Sequence, residues 1–140
     1  MNLSRLLAQN GQFGDALQAL RDGLSAAPDH PAILTTLAKS LVACPDAKLR
    51  NEAEALRAAE RACQLTAHEN PSALEALAVA QAANGRFDEA VVTARRALQI
   101  ASARGMAPIA QRLEADLRRY EQRQPAVRSY TPESKPSTEP

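Results

Sequence analysis

GQFGDALQALRDGL (residues 11–24) and GRFDEAVVTARRAL (residues 85–98) are one pattern written twice. Gly is followed two positions on by Phe, and three later by Ala. An apolar residue comes next, then a small residue (Gly23, Ala97) and Leu (Leu24, Leu98). A recurring helical hairpin buries its apolar face against its neighbours, so the repetition decides the architecture before any motif does. The expected object is all-α: an α-α superhelix, or solenoid, of three helical hairpins closed by a C-terminal capping helix.

Outward from the repeat, apolar residues keep helical spacing up to the tail. Leu3, Leu6 and Leu7 mark a short first helix, and Phe13, Ala16, Leu17, Leu20 and Leu24 a second. Ile33, Leu34, Leu37, Ala38 and Leu41 form a third stripe, followed by Ala55, Leu56, Ala59, Ala62, Cys63 and Leu65. Leu74, Leu77 and Ala78 follow, then Phe87, Ala90, Val91, Ala94, Ala97 and Leu98. Asn10-Gly11 and Asn84-Gly85 read as helix C-caps, and Pro28, Pro31, Pro45 and Pro71 fall between helices. Leu3 to Ala16 and Leu77 to Ala90 are each 13 positions, but Leu37 to Ala55 is 18. The middle hairpin therefore carries five extra residues within CPDAKLRNEAE, where Asn51 and Glu54 read as a capping box.

Gly105 breaks the pattern, and Pro108 suits the start of a last helix. Ile109, Leu113, Leu117 and Tyr120 give that helix one apolar stripe. Arg112, Glu114, Asp116, Arg118, Arg119 and Glu121 occupy its other sides, as expected of a cap facing water. The expected hairpins span about 1–28, 31–67 and 71–104, the cap about 107–123. The Pro-, Ser- and Thr-rich stretch 124–140 lacks the apolar surface to order itself and is expected to be disordered.

Composition excludes several function classes. Net charge is +1 and the sequence pI about 7.8, against the strongly basic surface that nucleic acid selects. No stretch approaches the ~20 apolar residues that span a bilayer, and the N-terminus lacks a signal peptide's apolar region. Aromatic residues are 3% with no Trp, so the core is expected to be thin, made of Ala and Leu. Two cysteines, Cys44 and Cys63, are too few for a disulfide framework.

The hairpins resemble tetratricopeptide repeats. The first matches at Leu3, Ser4, Gly11, Phe13, Ala16, Gly23 and Pro28. The second matches at Leu37, Ala38, Ala55 and Ala62, with Pro45 where the turn Gly belongs. The third matches at Leu77, Ala78, Gly85, Phe87, Ala90 and Ala97. The resemblance covers roughly residues 1–104 and departs from the family in its small residues where large aromatics are usual. The extended middle unit, one ordinary unit, a capping helix and a Pro-containing tail also resemble, in that order, the C-terminal end of long bacterial tetratricopeptide proteins. The resemblance implies a non-catalytic interaction scaffold that holds a peptide or partner helix in the groove lined by the first helices. The alternative is a structural C-terminal end, or an accessory module, of a larger bacterial repeat protein or of a glycosyl-transfer or membrane enzyme.

No residue pattern points to catalysis, a cofactor or a metal. His30 and His68 sit in equivalent turns, and no His-x-x-x-His or Cys-x-x-Cys spacing exists. Gly11 and Gly14 open a hairpin, not a phosphate loop. Arg118, Arg119, Arg123 and Arg128 interleave with acids and read as a solvated face. The candidate binding positions are the groove stripes of the first helices: Arg5 and Gln9, then Thr35, Lys39 and Val42, then Ser72, Glu75 and Val79. Lys39, between Arg5 and Glu75, gives an expected charge gradient along the groove, and reversing its charge is expected to leave the core untouched. A carboxylate clamp is not supported, since Arg5 and Lys39 are the only cations there. The expected partner is a protein or peptide, not nucleic acid and without direct membrane insertion. The open N-terminal end is left as a surface for self-association. The expected location is the cytoplasm, or the soluble part of a larger, membrane-attached protein.

Overall fold

The computed structural model describes residues 13–43 and 51–125. The expected first helix, the Asn10-Gly11 cap, Arg5, Gln9, Cys44, most of the insertion and the tail from residue 126 lie outside the described residues. Within them are six helices and no strand: α1 (Phe13–Ala26), α2 (Pro31–Ala43), α3 (Glu52–Leu65), α4 (Pro71–Ala83), α5 (Phe87–Ala103) and α6 (Ala107–Glu121). Several start or stop for a local reason. Asn51 caps α3 by accepting the Glu54 N–H at 2.9 Å, half of the expected capping box. The Glu54 carboxylate does not reach back to the cap; it turns to Arg21 of α1, 2.8 Å away. Asn70 caps α4, accepting from the Ser72 and Ala73 N–H groups, with Pro71 in the first turn.

Helix α4 ends as Asn84-Gly85 leads one to expect. Gly85 turns left-handed (φ +78), its N–H bonds Ala82 O, and the Arg86 N–H reaches back to Gln81 O. Helix α5 ends the same way at Gly105 (φ +69). Helices α3 and α6 make the same pair of bonds without glycine, through Ala67 (φ 56) and Arg123 (φ 59).

The packing is that of a solenoid. Helices α2, α4 and α6 touch one another in a row, while α1, α3 and α5 touch only the helices next to them in the chain. Two layers result: an inner row of α2, α4 and α6, and an outer row of α1, α3 and α5. The seam between them is lined with alanine. Ala55, Ala59, Ala62, Ala78, Ala90, Ala94, Ala97 and Ala101 are all fully buried, with Leu17, Leu41 and Leu113 as larger wedges. Small residues let helix axes approach closely, and Gly23 shows the tolerance: a Cβ there would stand 3.2 Å from Ile33 Cδ1. Cys63 belongs to this seam, and its burial, helped by the Glu60 charge, pushes the thiol pKa up to about 11.

Helix α6 closes the row. Leu113 and Tyr120 are fully buried, and Ile109 and Leu117 pack partly buried against the same core. One expectation changes here. Asp116 does not face water; it is 3% exposed, one turn from Arg112.

Candidate partner-binding groove

Beside α2 lies a half-open groove of about 500 Å³. The start and inner face of α2 supply His30, Pro31, Ala32, Thr35, Thr36, Lys39 and Ser40. Thr66, Asn70 and Ser72 close the other wall. Helices α2 and α4 run in the same direction, so both present their first turns at one end of the groove. The Thr36 hydroxyl donates to Ala32 O at 2.9 Å, and His30 Nδ1 accepts from the Ile33 N–H at 3.4 Å.

Behind two of the groove's lining residues, Lys39 and Ser72, lies a buried carboxylate. Glu75 is 0% exposed and lies between the three inner helices. Lys39 Nζ of α2 donates to Glu75 Oε1 at 3.1 Å and to Ser72 Oγ at 3.3 Å. From α6, Arg112 grips the same carboxylate with two bonds, Nε to Oε2 at 2.8 Å and Nη2 to Oε1 at 3.1 Å. Hydrogen bonding to Glu75 raises the Arg112 pKa above its usual value. Burial opposes this, and the charges of Glu75 and Asp116 add to it. Two parallel N–H···O⁻ bonds fix both distance and orientation, which a lysine's single point charge does not.

The sequence-derived groove positions divide accordingly. Thr35, Lys39 and Ser72 border the groove. Val42 leans half-buried on the core. Glu75 and Val79 (2% exposed) are not open positions at all. The reason is the site of α4, which packs against α2, α3, α5 and α6, so every residue from Ala73 to Ala82 is buried. Nor is there a charge gradient at Lys39, whose ammonium is ion-paired with Glu75. Arg5 and Gln9 lie outside the described residues. Sequence reasoning missed Arg112, His30, Thr36 and Ser40. For Arg112 a signal existed: Lys39, Glu75 and Arg112 sit at nearly equal intervals on successive inner helices, one repeat apart.

A family model described as a tetratricopeptide repeat matches residues 1–40. The described helices form an α-α solenoid, and residues 1–40 of the chain are similar to a tetratricopeptide repeat. No curated protein and no solved structure matches it. Repeats of this family generally mediate protein–protein interaction and typically form non-enzymatic scaffolds. Among the described residues of this repeat chain, no three His, Cys, Asp or Glu converge as a metal site. None of its described helices is long and apolar enough to cross a membrane.

Proposed function

We propose that the chain is a non-catalytic interaction scaffold that holds an extended peptide, or one edge of a partner helix, in the groove of α2. The observation that carries this reading is the groove itself: about 500 Å³, on the inner row, walled by hydroxyls, an imidazole and the Asn70 amide. That volume fits several side chains of a bound segment. Recognition rests on shape and a few hydrogen bonds, because Lys39 is already committed to Glu75. Counting units of about 1–28, 31–67 and 71–104, the groove belongs to the second unit, where Arg5 and Gln9 of the first would extend it. A chain of this kind works in the cytoplasm or as the soluble part of a larger assembly.

Peptides selected from a random library against the chain test the reading. Ser40→Arg fills the groove from a half-buried position without touching the Glu75 ion pairs. It should leave the melting curve unchanged and abolish binding of groove-selected peptides. Undiminished binding to this variant and to Thr36→Arg would remove the groove from consideration.

A second reading draws support from α6, whose outer side carries Gln111, Glu114, Ala115 and Arg118, all exposed. A polar outer side suits a last helix, so the chain also suits the closing portion, or an accessory module, of a larger bacterial repeat protein or of a glycosyl-transfer or membrane enzyme. Sequencing upstream of the coding region separates the two readings.

A further inference from the structure

A second hollow, of about 390 Å³, shares no residue with the groove of α2. It is lined by Gln81 at the end of α4 and by Asp88, Glu89, Val92 and Thr93 on the first turns of α5. Val92 is 68% exposed, the one large hydrophobic side chain left open among the described residues. Beneath it, the nearly buried Gln81 amide accepts from Thr93 Oγ1 at 2.8 Å, which leaves the other end of the amide for an occupant's backbone. Asp88 and Glu89 stand exposed on the rim, Asp88 beside Arg123 and Glu89 3.7 Å from Arg86.

The last described residues lead straight to that rim. Arg119 Nε donates to Pro125 O at 2.7 Å, folding the chain back over the end of α6. Arg123 then lies across the start of α5, its guanidinium 5.5 Å from the centre of the Phe87 ring and 3.4 Å from Asp88 Oδ1. The next residues in sequence are Ala126, Val127, Arg128, Ser129 and Tyr130. They offer an aliphatic group and an aromatic ring with a polar tip, which match an open valine, and a cation that can share the two exposed carboxylates beside it. Five residues reach up to ~17 Å, enough to cross one helix end. A short tether holds such a segment at an effective concentration on the order of millimolar.

We propose that the hollow at Gln81 and Val92 is the docking site of the chain's own tail, with Arg128 at Asp88 and Glu89 and with Tyr130 on Val92. The tail then covers the exposed valine of the third unit.

The chain contains no tryptophan, so Tyr130→Trp gives a single reporter. In the full-length chain the indole should emit at shorter wavelength than in a free peptide of residues 126–140 with the same substitution. Acrylamide should quench it about twofold less, as for a ring with one covered face. Adding Val92→Glu, or Asp88→Lys with Glu89→Lys, should return both readings to those of the peptide, with folding verified by circular dichroism. An indole that behaves as in the free peptide overturns the proposal. So does protection that neither set of changes removes, which puts the tail elsewhere. Protection that grows with protein concentration overturns it as well, and assigns the hollow to the tail of a second copy.

Discussion

Ala67 is held left-handed at φ 56, and His68 follows at φ 58. The left-handed region costs a residue with a Cβ roughly 1–2 kcal/mol. Glycine removes that cost and loses part of the gain to its greater freedom in the unfolded chain. Ala67→Gly should therefore stabilise the protein by about 0.5–1 kcal/mol, seen as a higher urea midpoint at unchanged slope. The exposure of Ala67 excludes a packing explanation. Cys63 makes a second residue-scale prediction. Burial raises its thiol from an ordinary 9.0 to about 11 in the fold. Above pH 9 the unfolded chain loses this proton while the folded chain keeps it, so the unfolded state binds fewer protons and stability falls. The loss should run from about pH 9 to about pH 11. Cys63→Ala should show a shallower fall across that window, whatever its baseline; equal slopes would mean that the thiol ionises alike in both states.

At the scale of the helix, α6 decides whether the stack is closed. Leu113 is its deepest aliphatic side chain, at 0% exposure. Leu113→Ala should cost about 2–5 kcal/mol, because close-packed surroundings collapse only partly into the space. Thermal melts measure this, and a loss below the range would mean that α6 can settle inward. Periodicity made this helix legible: Ile109, Leu113, Leu117 and Tyr120 are spaced as one stripe, and the structure buries that stripe. Asp116 was not legible, because a carboxylate next to a stripe reads as surface until a guanidinium beside it is known. Helix α4 failed differently. PSALEALAVAQAA is apolar on nearly every side, the mark of a helix enclosed all round, yet the repeat pattern assigns one of its faces to an open groove. The two signals disagree, and the all-round composition was the better guide to exposure.

Across the whole molecule, polar ties recur at one repeat's separation. Arg21–Glu54, Asp29–Arg61, Lys39–Ser72, Glu52–Asn84 and Glu75–Arg112 span 32 to 37 residues. Asp29–Arg61 and Glu52–Asn84 are exposed and of small individual worth, and the others are partly buried. Glu75 is the exception, buried where three helices meet. Arg112→Met removes both bonds of the bidentate pair and should cost about 2–3 kcal/mol, whereas Lys39→Met leaves that pair intact and should cost about 1 kcal/mol. A double-mutant cycle between the two positions measures their coupling through the shared carboxylate. Equal single costs would show that Arg112 gains nothing from its geometry. Lys39→Glu, harmless on the sequence reading, sets a second carboxylate against the buried one and should be the most damaging change at that position. The repeat spacing made the ladder of inner helices legible. It could not show which rungs touch, since that depends on α6 turning Arg112 inward.

The enclosure of α4 also sets a clock. In a linear stack, water enters from the ends, and a helix flanked on every side meets solvent only after its neighbours have peeled away. Amide deuteration should therefore reach α6 and the outer-row helices before α4. The amides from Leu77 to Gln81 should be last to report, slowing to the rate of complete unfolding.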